Sequence, residues 1–164
     1  MSARLVVLTA EQLIALDTEG WRQFRRAARE TPAVTRVLRA FLAHGGPIAV
    51  EEIVDAQALK RLNEHDLIRI RDGRIDIAYP FSALPTPFMV RLPDGRERYA
   101  CCATDALGIA PMIGQPVAVR SRCHHSGAAL AFTATPDGPE PDAAGVMLWS
   151  GARAEEQCRS IDGL

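Results

Sequence analysis

Three of the four cysteines in this chain of 164 residues fall between positions 101 and 123. One of them has a carboxylate three positions later, in the run Tyr99-Ala100-Cys101-Cys102-Ala103-Thr104-Asp105. The pattern predicts that Cys102 stands where a strand ends and that Asp105 lies in the first turn of the following helix. Backbone N–H groups at a helix start lower a thiol's pKa, and the thiolate is the nucleophile and metal ligand. The same dipole favours an ionised Asp105, which suits a group that first accepts a thiol proton and later donates it. A plainer reading makes Cys102 a small buried hydrophobe and Asp105 a helix cap. Spacing alone leaves both open.

The remaining cysteines carry weaker signals. Cys123 follows Arg120-Ser121-Arg122 and precedes His124-His125-Ser126-Gly127. Neighbouring strand residues diverge and Ser-Gly marks a turn, so His124 and His125 are expected to be exposed turn residues rather than metal ligands. Cys101 is expected on the opposite face from Cys102. Cys158 stands six residues before the last residue, Leu164. With no C-x-x-C pair, a zinc ribbon or thioredoxin motif is disfavoured.

Elements must position these groups. In the first half, Trp21, Phe24 and Ala28 share a helical face opposite Arg22, Arg25, Arg26 and Arg29. Pro32 opens a stronger helix through Val34, Val37, Leu38, Phe41 and Leu42, stopped by Gly45-Gly46-Pro47. Helical stretches are predicted from Val50 and through Ala58, Leu59 and Leu62. The run 67–71, the turn Asp72-Gly73 and the run 74–78 read as a hairpin. Residues 79–90 are loop-like. Strands are predicted over 88–92, 98–102, 117–119, 129–133 and 146–149, with a short helix from Thr104 or Asp105 to Gly108 or Pro111 and an exposed loop over 135–142. Phe132 and Trp149 read as core residues. The expected fold class is α+β: a winged-helix-like helical lobe over residues 1–80, then a small, mostly β lobe with short helices over 81–164.

Composition narrows the function classes. Residues 1–80 carry 12 Lys+Arg against 11 Asp+Glu, and residues 81–164 carry 7 against 9. Neither half supplies the field that gathers nucleic acid or an anionic membrane. The candidate recognition helix, 55–66, sets Lys60 and Arg61 against Asp55, Glu64 and Asp66, which disfavours a nucleic-acid partner. Leu5-Val6-Val7-Leu8 is too short for a signal peptide core, and no apolar run could span a bilayer. The expectation is a cytoplasmic protein with reduced cysteines.

The run from Tyr99 to Leu107, then Ile113-Gly114 and the stretch Val117 to Gly127 enclosing Cys123, resembles the core of the organomercurial (alkylmercury) lyases. The similarity extends over residues 30–135 and is densest at 98–127. That family also begins with a winged-helix-like lobe. The resemblance implies cleavage of a carbon–mercury bond by protonolysis, with two cysteines taking the mercury and an aspartate carrying the proton to the leaving carbon. By position, Cys102 matches the first active cysteine, Asp105 the proton carrier, and Cys123 a third cysteine regarded as structural. Mercury arrives with the substrate, so no stored cofactor is implied, and cellular thiols remove the product. Cys102 and a second thiol would hold the metal transiently. Here Cys158 is the candidate for that second thiol. The family has an aromatic-rich strand and a substantial C-terminal segment around this cysteine, whereas only residues 159–164 follow it here. Either Cys158 acts from the tail, or the chain is shortened and the second thiol lost. The alternative function is a thiol-based binder or sensor of soft metals such as mercury or copper without turnover, a winged-helix regulator being one form of it.

Overall fold

The computed structural model describes residues 31–53, 55–148 and 161. The helix predicted around Trp21–Ala28, Trp149 and Cys158 lie outside the described residues.

Helix α1 spans Pro32–His44. Its sequence dictates both ends: the Thr31 hydroxyl accepts the Val34 N–H, Pro32 takes the first position, and Gly45 closes the helix at φ +70°. The face bearing Ala33, Val34, Val37 and Phe41 is buried. A second device anchors this end: the Arg98 guanidinium donates to the carbonyls of Phe41 at 2.8 Å, Leu42, and Ala43 at 3.1 Å. A positive charge on the last carbonyls complements the negative end of the helix dipole. Glycine suits this left-handed position, and a Cβ here would also meet Arg98 Nη1 at 2.9 Å, so that the guanidinium would have to shift.

Strand β1 (Ile48–Ala49) leads into a three-residue 3-10 turn, Val50–Glu52, shorter than the helical stretch expected from Val50. Helix α2 spans Ala56–Glu64, capped by the Asp55 carboxylate on the Ala58 N–H at 2.9 Å, and buries Ala58, Leu59 and Leu62. The hairpin of β2 (Ile68–Arg71) and β3 (Arg74–Ala78) turns at Asp72 (φ +49°) and Gly73 (φ +72°). Two consecutive left-handed residues are what a tight twisted hairpin requires, and Asp-Gly supplies them. The ladder shifts register between Arg69 and Ile70, so Asp76 has no opposite residue.

Residues 79–90, expected as loop, contribute β4 (Phe81–Ser82), whereas β5 (Met89–Arg91) lies within the strand predicted over 88–92. With β6 (Glu97–Ala100), β7 (Val117–Arg122), β8 (Ala129–Thr135) and β9 (Gly138–Pro139), the strands form one antiparallel sheet. Its order is β1-β3-β4-β6-β5-β7-β8-β9, with β2 also paired to β3. Phe41 of α1 stacks on Phe81 of β4 with ring centroids 6.3 Å apart, joining helix to sheet at the centre of the core. Helix α3, Ala103–Ile113, packs Ala106, Ile109 and Ala110 against the sheet. The described residues thus form the α+β mixture of helices and antiparallel sheet that the sequence predicts.

Three further expectations are corrected. Helix α3 runs past Pro111, which lies inside it, and ends at Gly114 with φ +69°. Val146, Met147 and Leu148 form no strand and are exposed, Met147 at 70%. The 135–142 loop contains β9 and a 3-10 turn, Pro141–Ala143.

Candidate functional site

The end of β6 is held from three directions. The Cys101 N–H donates to the Pro80 carbonyl at 3.0 Å, the Ala100 N–H to the Phe88 carbonyl at 2.9 Å, and the Thr86 hydroxyl to the Ala100 carbonyl at 2.6 Å. The chain then passes through Cys102, extended at φ −149°, into α3. Cys102 is the N-cap residue, and its sulfur accepts the Asp105 backbone N–H at 3.4 Å. The Cys102 thiol in turn donates to Asp105 Oδ2 at 2.9 Å. The three-residue spacing therefore brings sulfur and carboxylate into direct contact, and the same two residues form the helix cap.

The electrostatics run opposite to the expectation from the helix dipole. The backbone N–H groups of Asp105 and Thr104 do favour the thiolate, but they are outweighed. Burial, the hydrogen bond to Asp105 and that residue's negative charge push the Cys102 thiol up to about 11. At neutral pH the sulfur therefore keeps its proton and points it at a carboxylate. Desolvation and a neighbouring like charge both disfavour the anionic form of an acid, and here they act together.

Cys101 is separated from this pair by its surroundings. It is buried in a small cluster with Ile77 and Ile161, and burial is the largest cause raising its pKa. Cys123 sits at the end of β7, half-buried, in a turn closed by the Cys123 N–H to the Ala128 carbonyl and the Gly127 N–H to the Cys123 carbonyl, both at 2.8 Å. The Ser126 hydroxyl, with the N–H groups of Ser126 and His125, draws its thiol below the usual range. His124 and His125 are exposed in that turn, as predicted. Among the described residues, no group of three or more His, Cys, Asp or Glu gathers in a metal-holding arrangement. No helix of the described residues is long and apolar enough to cross a membrane.

Sequence reasoning missed a buried polar cluster beneath Cys101. Arg69 Nε and Nη2 donate to the two Asp76 carboxylate oxygens at 2.9 and 3.0 Å, a bidentate pair. Arg69 Nη1 donates to the Ile161 carbonyl at 3.0 Å, and the Ile161 N–H donates to Asp66 Oδ1 at 3.0 Å. Ile161 is fully buried. The signal that could have found the cluster was the one acid in the partner strand, Asp76, available to an arginine of the hairpin.

A cleft of about 430 Å³ opens beside the pair, with Thr104 and Asp105 in its wall. It lies between α1, the hairpin and α3.

Comparison with known proteins places these features in context. A family model described as alkylmercury lyase matches residues 81–162, half of the chain. An alkylmercury lyase of Staphylococcus epidermidis is 33% identical over 125 residues, covering 69% of this chain and 56% of that protein. One of Streptomyces lividans is 33% identical over 120 residues, covering 68% and 54%. The chain thus spans little more than half the length of the curated relatives it matches. Among solved structures, the mercury-bound form of MerB2 superposes with a TM-score of 0.56 at 20% identity, covering 73% of this chain and 65% of that one. At that identity the likeness speaks for the fold.

Proposed function

The chain belongs to the alkylmercury lyase family, and from that membership we propose that it cleaves carbon–mercury bonds by protonolysis, with Cys102 as the capturing thiol and Asp105 as the proton carrier. The observation that carries this reading is the 2.9 Å contact between the Cys102 thiol and the Asp105 carboxylate.

The reaction needs a proton delivered to a carbon that is leaving a metal. A thiol held near pKa 11 keeps that proton on site at neutral pH. Mercury is a soft cation, and a coordinating thiol is deprotonated outright. When the sulfur takes the organomercurial cation, its proton passes along the existing hydrogen bond to Asp105. A second thiol then binds the mercury and releases its own proton to solvent. Electron density from two sulfurs leaves the carbon basic enough to take the proton from Asp105. The carbon–mercury electron pair becomes the new carbon–hydrogen bond, the hydrocarbon departs, and Asp105 is again a carboxylate. Mercury stays as a dithiolate until cellular thiols remove it, and no resident cofactor takes part.

Cys158 is the proposed second thiol. Its support is the fixed position of Ile161, three residues later, whose backbone is clamped by Arg69 and Asp66 beside Cys101. Cys123, in its turn away from the pair, has the structural role. In this proposal residues 1–80 form a winged-helix-like lobe and 81–164 the catalytic lobe of a cytoplasmic enzyme. The near-neutral charge of α2 supports a scaffold rather than a nucleic-acid contact.

The test is direct. Incubated with an alkylmercury salt and excess small thiol, the protein is expected to release the hydrocarbon, and a folded Cys102→Ser variant is not. Stoichiometric mercury uptake by wild type without hydrocarbon would overturn the lyase reading in favour of a soft-metal binder.

A further inference from the structure

The cleft beside Asp105 has a composition that matters for what enters it. Its wall combines Val34 and Leu38 of α1, Ile68 of β2, and the α3 face carrying Asp105, Gly108 and Met112. Asp105 is the one charged residue among the described residues that line it. The three α3 residues are spaced by three and four, so they rise in a single row along the helix. The row begins at the proposed proton carrier and continues into apolar space.

Geometry then restricts where a substrate's organic group can lie. The carbon that receives the proton must come within hydrogen-bond reach of the Asp105 carboxyl, roughly 2.6–3.2 Å. The mercury attached to that carbon must be on the Cys102 sulfur, 2.9 Å from the same carboxyl. With the metal end fixed at the sulfur, the rest of the organic group projects along the Asp105 side, into the cleft. An apolar cavity of about 150 Å³ holds benzene. A cleft of about 430 Å³ therefore admits an aryl ring as well as short alkyl groups.

Gly108 is one of the residues lining this space. It lies inside α3, where glycine is the less stable choice relative to alanine. A Cβ built on it meets nothing within 4 Å. No backbone need explains the glycine, since its φ is not in the left-handed region, and its missing side chain leaves open volume next to the acid.

We propose that Gly108 is the specificity-determining residue for the organic group of the organomercurial, its missing side chain keeping open the cleft into which that group projects. The proposal rests on the carbon–mercury cleavage reading.

The experiment compares wild type, Gly108→Ala and Gly108→Leu on phenylmercuric and methylmercuric salts, reading benzene and methane release. The expected result is that the phenyl-to-methyl ratio of kcat/KM falls by about tenfold or more in Gly108→Leu, with Gly108→Ala intermediate. A pocket change of a few methylenes is worth that much discrimination. Both substrates cleaved with an unchanged ratio in folded variants would overturn the cleft assignment. A mercury-free readout separates this from failure of the lyase reading: toluene is titrated into wild type and Gly108→Leu while the backbone amide at position 108 and the Met112 methyl are followed by NMR. Shifts in wild type that vanish in Gly108→Leu support the apolar subsite even if wild type cleaves neither salt. No shift in wild type overturns it.

Discussion

Cys102 and Asp105 are joined twice, by the thiol donating to Oδ2 at 2.9 Å and by the sulfur accepting the Asp105 backbone N–H at 3.4 Å. The second bond is an N-cap interaction that fixes the first residue relative to the helix. The first bond is then held short without relying on a flexible side chain to find its partner. A capping geometry that many helices use for stability here holds a proton between a sulfur and an oxygen.

This double link makes Asp105→Asn informative. The amide keeps the shape of the side chain and leaves the backbone cap intact, so the variant is expected to fold. It cannot relay a proton at neutral pH, and positioned acid–base groups contribute ~10²–10⁴-fold in rate. The expected outcome is mercury capture in full with hydrocarbon release lowered by about that factor, measured by single-turnover gas analysis. Undiminished release from the folded variant would remove Asp105 from the mechanism.

The thiols should also separate by pH. Alkylation proceeds through the thiolate. Cys123, drawn below the usual range by Ser126 and nearby N–H groups, is expected to react first with iodoacetamide near pH 8. Cys102, raised to about 11, holds little thiolate there, and its rate should climb about tenfold per pH unit until that value. In Asp105→Asn, two of the causes raising the Cys102 pKa, the carboxylate's hydrogen bond and its charge, are removed, so the profile moves to lower pH. Peptide mapping by mass spectrometry follows each cysteine separately. A Cys102 midpoint at or below about 8.5, the ordinary thiol value, would contradict the buried, carboxylate-paired thiol.

Much of this was readable from residues with strong local rules. Pro32 and Gly45 set the limits of α1, and Asp72-Gly73 set the hairpin, because those residues act through their own backbone. The juxtaposition of Cys102 and Asp105 followed from a strand-to-helix junction. The direction of the Cys102 shift did not, because burial and the Asp105 charge are tertiary quantities that overrule the dipole. Pro111 suggested an early helix end, yet it falls within the last turn of α3, where the lost N–H bond and the crowding of its ring do not end the helix before Gly114. Strand β4 has two residues, too few to show alternation, although it links β3 to β6. Val146 to Leu148 have strand-like side chains but no partner strand among the described residues, and propensity without pairing makes no sheet.

The Arg69 cluster supplies the remaining prediction, because it ties the end of the chain to the hairpin. Arg69 is 2% exposed and Asp76 11% in their side chains, so removing the arginine leaves a buried carboxylate without its partner. Breaking a buried pair this way costs about 3–5 kcal/mol, so Arg69→Met should show a markedly lower urea midpoint. Ile161→Ala is the more selective change. It keeps the Arg69–Asp76 pair and both backbone bonds, and truncating a fully buried isoleucine costs about 2–5 kcal/mol. Cys158 precedes Ile161 by three residues, a span of roughly 10 Å at full extension. If the tail presents the second thiol, loosening its anchor should lower hydrocarbon release at temperatures where the protein remains folded. The Cys102 alkylation profile should not move, since Cys102 and Asp105 make no part of the clamp. Full turnover by folded Ile161→Ala, or by Cys158→Ser, would show that the second sulfur comes from elsewhere.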